Sequence, residues 1–329
     1  MPFFEAPPTE IGCPIPANTP HAVSVTLPSW AANVGYEEGE EWVTSKMSSG
    51  YPRFFVHHKI QQLCNTVEDS YGREGEKCMI YPTYAVACRC RDFIKKYSTL
   101  PQVPVRIVQL STSEAAEDDR TAIQARISVV FFPGSEYKVA KCYWQHTGEG
   151  ISSRLGEYFL DHLTGTATNG SNGKSYKELH QQRKKSESRD DGLIDSSKHE
   201  SKEQSTYLEE RFGRNLDLSF APAAKTALRR RIAGKITEGG QASHGMIQEL
   251  SEDDVYLYPT GMTSIYSAHR ALLSLMSAKS VCFGFPYIDT LKVLQKWGPG
   301  CHFYGNGDDA ELMELEKLLE SGEKILALF

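Results

Sequence analysis

The amino-acid sequence predicts an α/β protein: an N-terminal α/β extension followed by a domain with a mostly parallel sheet and helices on both faces. Short apolar runs rich in β-branched and aromatic residues alternate with longer segments whose apolar residues recur every three or four positions. Strands that alternate with helices are typical of sheets whose strands run parallel. With 329 residues, of which 40% are hydrophobic, the chain is long enough for two domains.

Residues 1–164 are predicted to form an α/β domain, the N-terminal extension. Its opening is rich in proline, which favours an extended and irregular start. Apolar residues at helical or strand spacing follow. We expect helices in 57–72 and 151–163, a short strand followed by a helix within 78–97, and strands in 103–110, 125–133 and 138–147.

Residues 165–203 are predicted to be a flexible linker or insertion. They are nearly free of large apolar side chains and crowded with glycine, serine, asparagine and charged residues. Such a segment buries too little surface to offset the entropy lost on ordering. Residues 204–329 are then a second domain, in which we expect strands at 255–258, 280–285 and 324–329.

The last predicted strand, KILALF, has the composition of a buried parallel strand. A parallel sheet needs further strands beside such a strand, yet the sequence stops there. We therefore expect the chain to be a fragment of a longer protein.

Charge and hydropathy exclude several classes of function. A net charge of −6 gives no basic footprint for nucleic acid. No apolar run approaches the roughly 20 residues that a membrane span needs, and the N-terminus is unlike a signal peptide, so we expect a cytoplasmic protein. The cysteines and histidines lack the spacing of zinc or redox motifs, which predicts no metal site.

The segment YPTGM at 258–262 is the first candidate site. Proline and glycine end a predicted strand and helical spacing follows, so Gly261 and Met262 lie at the start of a helix. Their N–H groups suit a phosphate, because the first amides of a helix have no intrahelical acceptor. We expect Thr263 or Ser264 to cap this helix. A plain turn explains the same residues, and both interpretations stay open.

Two other segments carry candidate binding residues. An arginine in RFGRNLD, 211–217, suits bidentate contact with a phosphate or carboxylate, although surface arginines are usually only solvated. In FGFPYIDT, 283–290, Tyr287 follows a predicted strand at the edge where open α/β folds bind ligands, and its ring can stack on a flat molecule. A tyrosine of the core or its rim is an equal alternative.

Taken in order, RFGRNLD, YPTGM and FGFPYIDT resemble three landmarks of the pyridoxal-phosphate enzymes of cysteine and methionine metabolism. Within that family, phrases such as NTPHAVSVTLP, NVGYEEGE and GYPRFF are most similar to the fungal type of cystathionine γ-synthase. The resemblance covers nearly the whole chain. It implies that 204–329 is the first part of a fold-type I pyridoxal-phosphate transferase domain.

The resemblance also implies roles for five residues. Phe212 and Arg214 match an element that reaches the cofactor phosphate of the dimer partner, although the family's tyrosine is a phenylalanine here. Gly261 and Met262 match the amides that hold the phosphate of pyridoxal 5′-phosphate. Tyr287 matches the tyrosine that stacks on the pyridine ring.

One expected residue is missing. Enzymes of this family hold the cofactor as a Schiff base on a lysine, and in the family that lysine follows a strand such as KILALF. The catalytic lysine is therefore unknown, and we expect the 329-residue chain to be inactive by itself. The tyrosine is also followed by Ile288 and Asp289, where the family usually has glycines.

For the complete protein, the resemblance implies that the γ-substituent of an O-acylhomoserine is replaced by L-cysteine to give L-cystathionine, in a homo-oligomer. One alternative is a sister enzyme, either a homoserine-ester sulfhydrylase or a cystathionine lyase. The other is a non-catalytic binding or scaffold protein.

Overall fold

The computed structural model describes residues 10–47 (apart from 16–18 and 20), 55–112, 125–168, 221–234 and 250–329. The chain divides into two compact units. The first contains the described residues up to Lys95, then Thr99–Tyr137 and the described residues from Gly150 onward through 168. The second contains Lys96–Ser98, Lys138–Glu149 and the described residues from 221 onward.

The first unit is built on a three-stranded antiparallel sheet. Its strands are β3 (Glu76–Tyr81), β4 (Arg106–Ser111) and β5 (Arg126–Pro133), in the order β3-β5-β4. Strand β5 is buried continuously from Ile127 to Phe132, as expected for a central strand covered on both faces. The sequence predicted these three strands.

Helices cover this sheet. The helices assigned mainly to the first unit are α1 (Trp30–Glu38), α2 (Glu41–Thr44), α3 (His58–Tyr71), α4 (Tyr84–Tyr97) and α6 (Ser153–Thr168). In α3, Ile60, Leu63, Cys64 and Val67 are buried at helical spacing and join Phe159 of α6 in the main core. Helix α6 ends at Thr168, so it includes the first residues of the segment predicted as a linker.

Near the N-terminus, a short hairpin pairs β1 (Pro14–Ile15) with β2 (Ser24–Val25). The buried His21 ties this segment to α6, since its ring nitrogens lie 3.1 Å from Ser153 Oγ and 2.8 Å from Glu157 Oε2. Lys59 Nζ of α3 lies 2.9 Å from the other oxygen of Glu157. The irregular start is therefore anchored by polar contacts rather than by a long strand.

The second unit contains a three-stranded parallel sheet. Its strands are β6 (Lys279–Phe283), β7 (Cys301–Tyr304) and β8 (Ile325–Leu328), in the order β7-β6-β8. Its helices are α5 (Tyr137–Thr147), α7 (Ala221–Ile232), α8 (Gly261–Leu275), α9 (Ile288–Lys296) and α10 (Asp309–Glu320). Among the described strands of this unit, the prediction of parallel pairing is confirmed.

Three helices of the second unit meet at an aromatic cluster. Tyr143 of α5, Tyr266 of α8 and Trp297, just after α9, have ring centroids 5.2–6.5 Å apart. Both tyrosines are buried, and contacts at these distances stabilise beyond the area buried. Helix α5 is therefore part of the core of the second unit, although it precedes the predicted linker in sequence.

Two predicted strands are wrong. Residues 138–147 form α5, because Ala140, Tyr143, Trp144 and Thr147 are buried at helical rather than alternating spacing. Residues 255–258 are not a strand but follow a 3₁₀ turn, Glu252–Asp254. The predicted domain boundaries, and the placement of helices on both faces of the parallel sheet, remain predictions.

Candidate functional site

The first part of the candidate site is the N-terminus of α8. Gly261 and Met262 are its first two residues, as predicted, and the chain enters through extended backbone at Thr260. The cap differs from the expectation, because the Thr260 side chain, not Thr263 or Ser264, accepts the N–H of Thr263 at 3.2 Å. The amides of Gly261 and Met262 precede that bond and carry the positive end of the helix dipole.

This helix start is fixed by the residues around it. Thr263 Oγ1 donates to the carbonyl of Gly148 at 2.9 Å, directly after α5. The Met262 side chain is buried against Tyr266 and against Val293 of α9. The start of α8 is therefore positioned by the hydrogen bond of the Thr263 hydroxyl and by the buried side chain of Met262.

Gly261 leaves room for a ligand. A Cβ atom built on Gly261 meets nothing within 4 Å, and the residue is exposed. Packing therefore does not require glycine at this position, but the missing side chain lets an anion approach the backbone. These residues fit the phosphate of the pyridoxal phosphate that the resemblance implies.

The second part of the site is Tyr287, the N-cap residue of α9. Its side chain is 44% exposed and lines an apolar cavity of about 490 Å³. The other lining residues are Phe285, Pro286, Ile288, Leu291 and Phe303. The ring is thus accessible for stacking. Because Met262 packs on Val293, two turns further along α9, the two parts belong to neighbouring helices.

The sequence did not predict the residues that position the tyrosine hydroxyl. Tyr287 Oη donates to Asp289 Oδ2 at 3.3 Å, and Asp289 is only 4% exposed. The other oxygen of Asp289 lies 3.5 Å from Nε2 of His146 in α5. Gln145 Nε2 also lies 3.5 Å from Asp289 Oδ2. The buried carboxylate therefore joins α5 to the start of α9.

His146 is held in its neutral form. Burial and the neighbouring Lys296 lower the pKa of His146 from 6.5 to about 4, against the opposing effect of Asp289. Cys142 and His146 are four residues apart, so they lie on the same face of a helix. The sequence predicted a strand for 138–147 instead of a helix and did not identify these two side chains as neighbours.

Phe212 and Arg214 lie outside the described residues, so their predicted roles stay predictions. Among the residues that are described, no group of three or more metal-type side chains is found. No described helix is long and apolar enough to cross a membrane.

Comparison with known proteins gives a family match for part of the chain. Residues 59–152 match the family described as "Fungal trans-sulfuration enzyme, N-terminal domain". In this segment the chain is similar to the N-terminal domain of fungal trans-sulfuration enzymes. Its resemblance to the pyridoxal-phosphate enzymes of cysteine and methionine metabolism, inferred above from short motifs, is confirmed.

Curated relatives support the same conclusion. This chain is 40% identical to the cystathionine gamma-synthase of Neurospora crassa, and the match covers 98% of this chain and 60% of the relative. It is 35% identical to that of Saccharomyces cerevisiae, covering 97% and 60%. It is 38% identical to the cystathionine gamma-synthase-like enzyme iboG2 of Amanita muscaria, covering 94% and 52%.

The chain therefore spans about 50–60% of the length of these relatives. No solved structure matches the chain.

Proposed function

We propose that this chain contributes the phosphate-binding helix and the ring-stacking tyrosine of a pyridoxal-phosphate-dependent cystathionine γ-synthase. The observation that carries the proposal is the start of α8, where Gly261 presents backbone amides to open space. The exposed Tyr287 on the neighbouring helix supports it. The relatives named cystathionine gamma-synthase supply the reaction class.

Each residue has a distinct part in the proposed site. The amides of Gly261 and Met262 bind the phosphate through hydrogen bonds and the helix dipole. The ring of Tyr287 lies against the pyridine. Asp289 accepts a hydrogen bond from the tyrosine hydroxyl and so fixes the direction of that hydroxyl. When bound, pyridoxal phosphate withdraws electrons from the carbon atoms of an amino-acid substrate.

The proposed substrates are an O-acylhomoserine and L-cysteine, and the proposed product is L-cystathionine. In this proposal the protein is a homo-oligomer in which Phe212 and Arg214 reach a partner's phosphate. No lysine of this chain is assigned to the cofactor Schiff base. The chain alone is therefore expected to bind the cofactor weakly and to turn nothing over.

The phosphate site can be tested without a catalytic lysine. Pyridoxamine 5′-phosphate forms no Schiff base, so calorimetric titration of the chain with it reports the site directly. We expect it to bind more tightly than pyridoxamine, and Gly261→Val to weaken binding by about tenfold by obstructing the amides. Unfolding stability should change by only about 1 kcal/mol or less.

Ser274→Ala is the matched control, because Ser274 is exposed at the far end of α8. It should bind as the unsubstituted chain does. Equal affinity of Gly261→Val and the unsubstituted chain for pyridoxamine phosphate would contradict the assignment of this helix.

The reaction requires a longer protein. We would fuse this chain to the part of the Neurospora crassa relative that the chain does not span, and supply O-acetyl- or O-succinylhomoserine with cysteine. Cystathionine should form in the fusion and not with the chain alone. Faster conversion with sulfide than with cysteine would instead identify a sulfhydrylase, and no turnover with either thiol would refute the proposed function.

A further inference from the structure

A cysteine, a histidine and a lysine meet beside Asp289. Lys296 Nζ, in the last turn of α9, lies 2.9 Å from Cys142 Sγ and 3.2 Å from His146 Nδ1 in α5. Cys142 Sγ and His146 Nδ1 are themselves 3.4 Å apart. Cys142 and His146 are four residues apart on α5, so they share a face of that helix.

Hydrogen bonding assigns the protons in this cluster. His146 Nε2 points at a carboxylate oxygen of Asp289, 3.5 Å away, so the ring proton is on Nε2 and Nδ1 is an acceptor. Nδ1 then has no proton to offer Cys142. The Lys296 ammonium is therefore the donor to both acceptors, the imidazole nitrogen and the sulfur.

The contact with Lys296 makes Cys142 the candidate nucleophile of this cluster, because the ammonium lies 2.9 Å from its sulfur. A short N–S contact from an ammonium is the hydrogen bond that stabilises a thiolate relative to a thiol.

We propose that Cys142 is a peroxide-reactive cysteine and that Lys296 captures its oxidised form, which makes this pair a redox modification site. Cys142 is partly exposed, so a small oxidant can reach it. Nothing in the inference depends on pyridoxal phosphate or on the proposed reaction. The oxidant is hydrogen peroxide or another hydroperoxide.

The chemistry occurs in two balanced steps. Cys142 reacts after its thiol has lost a proton to solvent, since the thiolate is the nucleophilic form of cysteine. The thiolate sulfur attacks one peroxide oxygen, an S–O bond forms, the O–O bond breaks, and the departing hydroxide takes a proton from Lys296 to become water. Sulfur loses two electrons and the peroxide gains them, which gives a sulfenic acid beside a neutral amine. The amine then attacks sulfur, an S–N bond forms, the S–O bond breaks, and a second water leaves without further oxidation.

Other cysteines of the chain provide an internal comparison. Burial raises the pKa of the Cys301 thiol, although that residue is also partly exposed. Cys64, Cys78 and Cys282 are buried. Cys142 should therefore react faster with peroxide than Cys301 does in the same molecule.

The test is peroxide treatment of the chain at pH 7.5, with dimedone present in one arm and absent in the other, followed by peptide mass spectrometry. With dimedone, Cys142 should be labelled at least about tenfold faster than Cys301. Without it, the peptides of Cys142 and Lys296 should be joined, with a mass about 2 Da below the sum of the two reduced peptides.

Three substitutions at two lysines of the same helix separate a specific effect on Cys142 from a structural one. Lys296→Gln should slow labelling of Cys142 by about tenfold and abolish the joined peptide. Lys296→Arg keeps the charge, so labelling should stay within about twofold while the joined peptide disappears. Lys292→Gln, the matched control, should retain both rapid labelling and the joined peptide.

The inference is overturned if Cys142 reacts no faster than Cys301, or if Lys296→Gln leaves its rate unchanged. It is also overturned if no joined peptide forms in the unsubstituted chain. Circular dichroism of each variant establishes that a change in labelling is not a loss of folding.

Discussion

At the scale of single residues, the neutral His146 shows how burial and neighbouring charges determine protonation. The groups that face it are Lys296, Lys292, Asp289 and Cys142. Burial and the two lysines favour the neutral ring. Among the charges that act on the ring, Asp289 alone favours its protonated form. The neutral ring can accept a hydrogen bond from Lys296 while it faces Asp289 with its other nitrogen.

This protonation state predicts a dependence of stability on pH. The pKa of His146 is about 4 in the folded chain and 6.5 in the unfolded reference, so the unfolded state binds more protons between these values. The free energy of unfolding should therefore fall as pH decreases from about 6.5 towards 4, by up to about 1.4 kcal/mol per pH unit from this residue.

Urea unfolding followed by tryptophan fluorescence between pH 4.5 and 7.5 measures this dependence. His146→Gln should flatten it, whereas His302→Gln, which removes a histidine paired with Glu323 near the surface, should not. The same pH slope in the unsubstituted chain and in His146→Gln would show that burial of this ring is not the cause.

The sequence predicted the position of a site residue only where a local sequence pattern marks that position. Gly261, Met262 and Tyr287 stand at helix starts marked by proline and glycine, and the structure places them there. Asp289 and His146 come from segments 143 residues apart, and only packing of α5 against α9 brings them together. No local pattern reports such a contact.

At the scale of elements, the outer strands of the first sheet are joined by an ion pair across β5. Arg106 of β4 contacts both carboxylate oxygens of Glu76 in β3 at 2.6–3.1 Å and lies over the ring of Phe131. The hydrogen bond from Arg106 lowers the pKa of Glu76. Both side chains are mostly shielded from water, so the pair is screened less than a surface pair.

Arg106→Gln should lower the free energy of unfolding by about 2–3 kcal/mol, because Glu76 is left partly buried without its cation. The matched control is Lys77→Gln. Lys77 pairs with Glu68 but is 53% exposed, so its loss should cost about 1 kcal/mol or less. Chemical unfolding of the two variants measures the difference, and equal losses would argue against the shielded pair.

Long periodic elements were predictable and shorter ambiguous ones were not. Helix α3 and strand β5 have apolar patterns that fit one period over most of their length. Residues 138–147 are rich in apolar and aromatic side chains, which strands also favour, and the helical period of the buried positions emerges only over the whole segment. Residues 255–258 have strand composition but pair with no described strand, which composition alone does not reveal.

At the scale of the whole molecule, the second unit depends on a helix from the N-terminal part of the chain. Tyr143→Ala should therefore destabilise the second unit by about 3–5 kcal/mol, because it empties the centre of the aromatic cluster. Hydrogen exchange should increase in α8 and α9 and change little in the first-unit sheet. Faster exchange confined to the sheet of the first unit would contradict the placement of α5.

The sequence did not predict which segments of the chain belong to which compact unit. A composition change at 165–203 predicts where a boundary lies, but it does not show that Lys138–Glu149 belongs with the second unit. That assignment depends on buried tyrosines whose partners are more than a hundred residues away.

Helix α5 packs in the second unit, and this limits which segments can be exchanged between related proteins. The family match at 59–152 contains α5, so the domain defined by sequence includes a helix that packs in the other unit. A hybrid of two relatives joined between residues 169 and 220 would combine α5 from one parent with α8 and α9 from the other. Such a hybrid should keep a stable second unit only if its two parents together supply aromatic rings that pack as Tyr143, Tyr266 and Trp297 do here.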